Sequence, residues 1–181
     1  EPWIDPEMNE INRLPMHSSY FAYETLDLAM EGDRRKSTRY KNLKGIWKFA
    51  WATDEWTRHT DFYKPVYNDT SWAAIPVPGL WELNGFGDPL YVNSGYAWYN
   101  QFSSNPPFVP TENNRVGSYR HTFSVPEEWK DKQVIIHFGS VTSNMTLWVN
   151  GMMVGYSEDS KLEAEFNITP YLKDGENLLA M

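Results

Sequence analysis

The sequence predicts an antiparallel two-sheet β-sandwich, and three observations support this fold class. Short apolar runs with two-residue alternation recur about every 10 residues along most of the chain. Turn dipeptides separate the runs, such as Asn150-Gly151 between Met145–Val149 and Met152–Tyr156. Aromatic residues make up 16% of the 181 residues, and aromatic side chains dominate the packing of cores. About eight short strands joined by such turns are typical of a sandwich.

The first 40 residues differ from the rest and are predicted to form an arm. Three prolines interrupt the first 15 residues, and only Tyr23–Met30 shows some helical spacing. We therefore expect an extended arm over residues 1–40, with at most one short helix, that either docks on a partner surface or frays. Residues 41–181 are expected to form the folded domain.

The first strands of this domain carry a clear aromatic pattern. In Gly45–Trp51 the side chains of Trp47, Phe49 and Trp51 share one face by alternation, and this face is predicted to be buried. Ala74–Pro78 is a short strand, and its two prolines confine it to a sheet edge or entrance.

Two long connections follow these first strands. Residues 54–70 are interpreted as a polar connection. Residues 80–110 are rich in Gly, Asn and Pro and form a stretch too long for a simple turn, which indicates a functional loop.

Six further strands are predicted after this loop. Asn150-Gly151 is the strongest hairpin signal among them, because both central residues of a type I′ turn need positive φ. The last strand reaches the final residue without a closing turn, so we expect the chain to be one domain of a longer protein. The predicted strands are Gly117–Val125, Val134–Phe138, Met145–Val149, Met152–Tyr156, Ala164–Ile168 and Asn177–Met181.

Composition excludes several classes of function. The chain has no cysteine, which rules out disulfides, thiolate metal sites and a cysteine nucleophile. Its net charge of −8 disfavours nucleic acid and anionic membrane as partners. No apolar run approaches the ~20 residues of a membrane span. The compartment stays open between bacterial cytoplasm and periplasm.

The sequence carries no complete catalytic signature. Zincin, nucleophile-elbow, P-loop and dinucleotide motifs are absent. The four histidines are scattered, and His121 and His137 lie within predicted strands, where a structural role is expected. A glycosidase needs two carboxyl groups facing one cleft, and no pair of acids is distinguished by its spacing. We therefore predict no catalytic residue in this chain.

Two polar residues in loops remain as candidate site residues. Asn93 lies in the long loop, and Asp159 lies at the turn that leaves the Met152–Tyr156 strand. From the residues alone, both are more often turn-forming side chains than ligands, because Asn and Asp favour turns and helix caps.

The ordered motifs of the chain resemble the N-terminal sugar-binding, jelly-roll domain of glycoside hydrolase family 2, and within it the lac-type β-galactosidases. The resemblance covers most of the length. The stretch 94–104 is longer and more aromatic than the family pattern, and Asn167 stands where an Asp is expected. The matching segments are Asn12–His17, Leu43–Trp51, Ile75–Trp81, Asp88–Asn93, Asn105–Asn113 and Leu147–Ser160.

This resemblance implies an all-β jelly-roll sandwich, similar to galactose-binding domains, and a specific function. It implies a retaining β-galactosidase whose catalytic glutamates belong to a TIM barrel further along the polypeptide. Asn93 of the Tyr-x-Asn motif would bind galactose hydroxyls. Asp159 of the Gly-Tyr-x-x-Asp-Ser motif would bind the sugar and ligate a sodium ion, a hard cation that prefers oxygen ligands.

The resemblance further implies a homo-oligomer when full length, in which the arm helps to assemble the subunits. Magnesium is possible in the full-length enzyme, but no magnesium ligands are recognised here. Two other functions remain open: a free-standing carbohydrate-binding module, and a purely structural assembly domain.

Overall fold

The computed structural model describes residues 1–89 and 107–181. Asn93 and most of the long loop lie outside the described residues. The described part contains one short α-helix, several single 3-10 turns and nine strands. Their bounds are β1 (Glu10–Ile11), α1 (Leu26–Glu31), β2 (Gly45–Ala52), β3 (Ala73–Val77), β4 (Val116–Ser124), β5 (Ile135–Phe138), β6 (Asn144–Val149), β7 (Met152–Glu158), β8 (Ala164–Asn167) and β9 (Glu176–Ala180).

The strands form two antiparallel sheets, which confirms the predicted sandwich. Seven strands make one sheet in the order β1-β7-β6-β9-β4-β2-β3, and β5 and β8 make the other. The proline-containing β3 lies at the edge of its sheet, as predicted. The last strand, β9, is central, between β6 and β4.

The core lies between the two sheets. Phe49, Leu147, Phe166 and Leu179 are each 0% exposed. The predicted aromatic face of β2 is confirmed, because Trp47 and Phe49 are buried; Trp51, at the end of the strand, is half-buried. Alternation along β2 therefore identified its buried side correctly.

The β6–β7 hairpin has the predicted turn. Asn150 has φ 53° and Gly151 has φ 87°, so both central residues lie in the left-handed region. The Asn150 side chain also accepts a hydrogen bond from the Leu178 amide (3.0 Å) and donates to the Asn177 side chain (2.7 Å). The turn is therefore tied to β9, a long-range contact that its dipeptide does not predict.

The connection after β2, predicted as a polar linker over residues 54–70, also contributes buried aromatic side chains. Phe62 and Trp72 are buried, and they pack with Ala180 against the outer face of the large sheet. Arg120 of β4 is buried beneath the same connection, where its Nε donates to Asp69 Oδ2 (2.7 Å). A guanidinium is stable there only because its donors are paired. The segment is thus a second, smaller core.

The arm docks on the sandwich of its own chain. β1 extends the large sheet by pairing with Tyr156 and Ser157 of β7. The Leu14 amide donates to the Glu165 carbonyl (2.9 Å). The predicted short helix is confirmed as α1, capped by the Thr25 hydroxyl, which accepts from the Leu28 amide.

No helix in residues 1–89 and 107–181 has the length and apolar character that crossing a membrane requires.

Candidate functional site

The end of β7 presents Asp159 in an unusual backbone conformation. Asp159 is exposed and has φ 90°. Positive φ costs a residue with a Cβ of order 1–3 kcal/mol, and it persists only where neighbouring contacts impose it. Such residues cluster at functional sites. Four non-glycine residues of the described part have positive φ, and Asp159 is the one among them that carries a carboxylate.

Contacts from two sides hold the backbone around Asp159. The Glu158 amide donates to the carbonyl of Asn9 (3.1 Å), so the arm strand bonds to the residue just before the aspartate. On the far side of the turn, the Ser140 hydroxyl donates to the Ser160 carbonyl. The Leu162 amide closes the turn on the Asp159 carbonyl (3.4 Å). The carboxylate thus projects from a braced turn.

The neighbouring acid, Glu158, is held by a hydrogen bond from Tyr156. Its buried phenol donates to Glu158 Oε1 (2.7 Å). Burial first, and then the adjacent Glu158 carboxylate, raises the pKa of Tyr156 far above its ordinary value. The phenol therefore remains a hydrogen-bond donor at physiological pH, and Glu158 is occupied by an internal contact.

The donor chemistry of Asp159 fits a hard monovalent cation, because its exposed carboxylate offers oxygen atoms. In the described ranges no group of three or more His, Asp or Glu residues is placed to hold a metal ion. A cation at Asp159 would need further oxygen ligands besides this carboxylate, such as backbone carbonyls, amide side chains or water. An open groove of about 2000 Å³ between arm and sandwich is not lined by Asp159.

Asn93 lies outside the described residues, but an aromatic cluster marks the base of its loop. The rings of Phe49 and Phe86 lie 4.8 Å apart, and Phe49 and Trp81 lie 6.2 Å apart. A Cβ on Gly117 would approach the Trp81 ring to 2.5 Å, so only glycine fits there. These contacts fix the point from which the loop departs.

A second polar cluster joins the arm to the sandwich, and the sequence missed it. Although the histidines are scattered in sequence, His17 and His137 both bind Glu165: His17 Nε2 lies 3.0 Å from Oε2, and His137 Nδ1 lies 3.0 Å from Oε1. The Ser19 hydroxyl donates to Glu163 Oε1 (2.9 Å). Period-two spacing would place Glu163 and Glu165 on one face, but nothing local pairs them with residues of the arm.

His121, by contrast, has the structural role expected from its strand. Its ring stacks on Trp47, with 4.7 Å between centroids and 5° between planes. Burial lowers the pKa of His121, so the neutral ring is favoured.

The Glu165 cluster predicts that arm docking depends on pH. The Ser18 carbonyl and then Glu165 raise the pKa of His17 above 6.5. Partial burial opposes ionisation of Glu165, but hydrogen bonds from His137 and His17 lower its pKa below 4.5. The His17 contribution is complete below its unfolded pKa and is lost as pH rises through the folded pKa. The Glu165 contribution is present above its unfolded pKa and is lost on acidification.

We therefore expect the arm to dock most strongly between pH 4.5 and pH 6.5, the ordinary pKa values of Glu165 and His17. Docking should weaken as the pH rises from about 5.5 to about 8. Urea unfolding at both pH values measures the change, and His17→Gln should reduce it. His59→Gln, which alters a histidine outside the cluster, is the control. Equal pH dependence in His17→Gln and the unmodified chain would contradict the prediction.

Comparison with known proteins identifies the relatives of this sandwich. The family model described as the sugar-binding domain of glycosyl hydrolases family 2 matches residues 40–181. The chain is similar to a beta-galactosidase of Priestia megaterium, at 41% identity over 98% of this chain and 17% of that protein. A beta-galactosidase of Streptococcus thermophilus is 40% identical, again over 98% of this chain and 17% of the relative.

Among solved structures, a beta-glucuronidase of Bifidobacterium dentium complexed with coumarin-3-O-glucuronide has a similar fold. The TM-score is 0.54 at 24% identity, over 76% of this chain and 18% of that one. At this identity the likeness indicates the fold alone.

The antiparallel sandwich, together with the family match, defines a sugar-binding β-sandwich domain. The chain belongs to glycosyl hydrolases family 2, whose enzymes are glycoside hydrolases. It spans about a sixth of the length of the two bacterial relatives, each matched over 17% of its own length.

Proposed function

We propose that this chain is the N-terminal sugar-binding domain of a retaining β-galactosidase that hydrolyses terminal β-D-galactosides. Its role is to complete the sugar pocket of a TIM barrel that lies elsewhere in the full-length protein and carries the catalytic glutamates. The observation that carries the proposal is the braced, exposed Asp159 with φ 90° at the end of β7. The 41% identity to a beta-galactosidase over 98% of the chain supports the galactoside specificity.

Asp159 and Asn93 have separate roles in this proposal. The Asp159 carboxylate accepts hydrogen bonds from galactose hydroxyls and serves as one oxygen ligand of a sodium ion, and Asn93 binds a sugar hydroxyl with its amide. A hydrogen bond to a charged group is worth about 1.5–3 kcal/mol, more than a neutral one. The turn that holds Asp159 in place lets the carboxylate bind without first being ordered, which favours affinity.

The test compares Asp159→Asn with the unmodified full-length protein. The variant keeps the size of the side chain and loses its charge, so we expect KM for a nitrophenyl β-galactoside to rise roughly 10-fold or more. The sodium concentration for half-maximal activity should rise as well. Steady-state kinetics over a sodium series measures both values. Asn93→Ala should raise KM and leave the sodium requirement nearly unchanged.

Asp174→Asn is the matched control, because Asp174 is also an exposed aspartate at a turn and is assigned no role. If Asp159→Asn behaves like Asp174→Asn, the domain contributes no charge to the pocket and the structural role gains support. Tight galactose binding by the 181-residue chain alone, measured by calorimetry, would instead favour a free-standing module. Faster hydrolysis of a β-glucuronide than of a β-galactoside would overturn the proposed specificity.

A further inference from the structure

We propose that Arg13, a residue of the arm, is a positioning residue that holds Asp159 in its binding conformation. This inference rests on the proposed function of Asp159. The arm would thereby contribute indirectly to the sugar and sodium site, in addition to covering the edge of the large sheet.

The contacts of Arg13 converge on the last residues of β7. Its Nη1 donates to the Ser157 hydroxyl (3.2 Å) and to the Glu158 carbonyl (3.4 Å). Its Nη2 forms an ion pair with Glu10 of β1, which orients the guanidinium. The side chain is only 14% exposed, so these contacts are shielded from competing water.

The carbonyl that Arg13 binds belongs to the peptide that joins Glu158 to Asp159. The φ angle of Asp159 is the rotation about the bond that follows this same peptide. The other end of Glu158 is also held by the arm, through the Asn9 carbonyl. The arm therefore fixes the peptide plane from which the 90° φ of Asp159 departs, and the carboxylate projects from that fixed plane.

The arm and β7 also fit closely beside these contacts. A Cβ on Gly155 would lie 2.4 Å from the Ile11 carbonyl oxygen, so β1 approaches β7 at a position that only glycine permits. Outer groups that orient a metal ligand commonly affect metal affinity by 10- to 100-fold, although they touch neither metal nor substrate. In the same way, Arg13 orients Asp159 through the Glu158 carbonyl.

The experiment uses the full-length protein and the variants Arg13→Ala and Arg13→Lys. We expect Arg13→Ala to raise the half-saturating sodium concentration and KM at least about 10-fold, with kcat at saturating sodium and substrate nearly unchanged. Arg13→Lys keeps the charge but not the planar fork, so it should restore part of the affinity. Sodium NMR titration gives the affinity without turnover, and hydrogen-exchange mass spectrometry over residues 154–163 reports whether the turn loosens.

Asn12→Gly separates positioning from simple docking of the arm. The Asn12 side chain donates to the Val154 carbonyl (2.9 Å), which also ties the arm to β7 but at a distance from the Glu158 peptide. Glycine tolerates the φ of 55° at this position. The variant removes this one bond and leaves the contacts of Arg13 and Asn9 with Glu158 in place, so it should not change the sodium requirement.

The proposal is overturned if Arg13→Ala matches Asn12→Gly in sodium affinity and KM, or if exchange over residues 154–163 does not rise. Should Arg13→Ala fail to fold, Arg13→Lys decides by the same comparison. Asp159→Asn, measured in parallel, tests the proposed function itself: if it leaves sodium affinity unchanged, the site assignment fails regardless of what Arg13 does to the turn.

Discussion

Replacing Arg120 with alanine is expected to destabilise the sandwich by about 3–5 kcal/mol, the usual cost of leaving half of a buried ion pair. The Arg120 guanidinium is 6% exposed and donates to Asp69 and to the carbonyls of Phe62 and Lys64. It also lies over the Tyr67 ring, 5.6 Å from its centroid. Without the guanidinium, these acceptors lose their hydrogen-bond donor beneath the connection after β2. Urea unfolding of the chain measures the loss.

Thr122→Ala provides the control for this prediction. Thr122 lies on the same strand and the same outer side of the sheet, two residues away, but is exposed. We expect its substitution to change the free energy of unfolding by no more than about 0.5 kcal/mol. Arg120→Lys should fall between the two, since an ammonium cannot reproduce the fork of donors. A loss below about 1 kcal/mol for Arg120→Ala would show that the connection is not anchored by this residue.

Phe166→Ala is the second large effect, and it tests the packing between the sheets. Phe166 is 0% exposed in β8 and belongs to the main core cluster with Leu147 and Leu179. Its ring also fills the space beside Gly155 of β7, where a Cβ would lie 2.6 Å from it. Truncation therefore leaves a cavity between the sheets, at a cost of about 3–5 kcal/mol. Thermal and urea unfolding measure the change.

Phe108→Ala is the matched control, because Phe108 is the same residue type at 56% exposure. Its truncation removes little buried surface and should alter stability by no more than about 0.5 kcal/mol. If Phe166→Ala costs as little as Phe108→Ala, the two-stranded sheet is not held by the main core.

Features encoded by neighbouring residues were predicted well. Alternation in β2 identified Trp47 and Phe49 as buried, and the Asn150-Gly151 dipeptide predicted a hairpin whose two central residues have positive φ. The prolines of β3 predicted an edge strand. Each of these depends on backbone preference or side-chain period over a few residues, so the local sequence contains the required information.

Contacts between distant segments were not predictable from the sequence. Arg120 and Asp69 are separated by 51 residues, and His17 and Glu165 by 148. The sequence predicts a polar connection over residues 54–70, yet Phe62 within it and Trp72 just after it form a second core. Only the folded sheet creates the outer face that they cover.

The candidate site likewise combines features that the sequence predicts with features that only the folded structure shows. The sequence by itself determined the sandwich and the Asn150-Gly151 turn, and a family motif named Asp159 as the candidate site residue, because these follow from residue order. The tertiary structure alone decided that Asp159 has a positive φ and that the arm residues Asn9 and Arg13 brace it. The physical reason is that the hydrogen bonds of Asn9 and Arg13 with the end of β7 form only after the chain has brought together segments more than 140 residues apart.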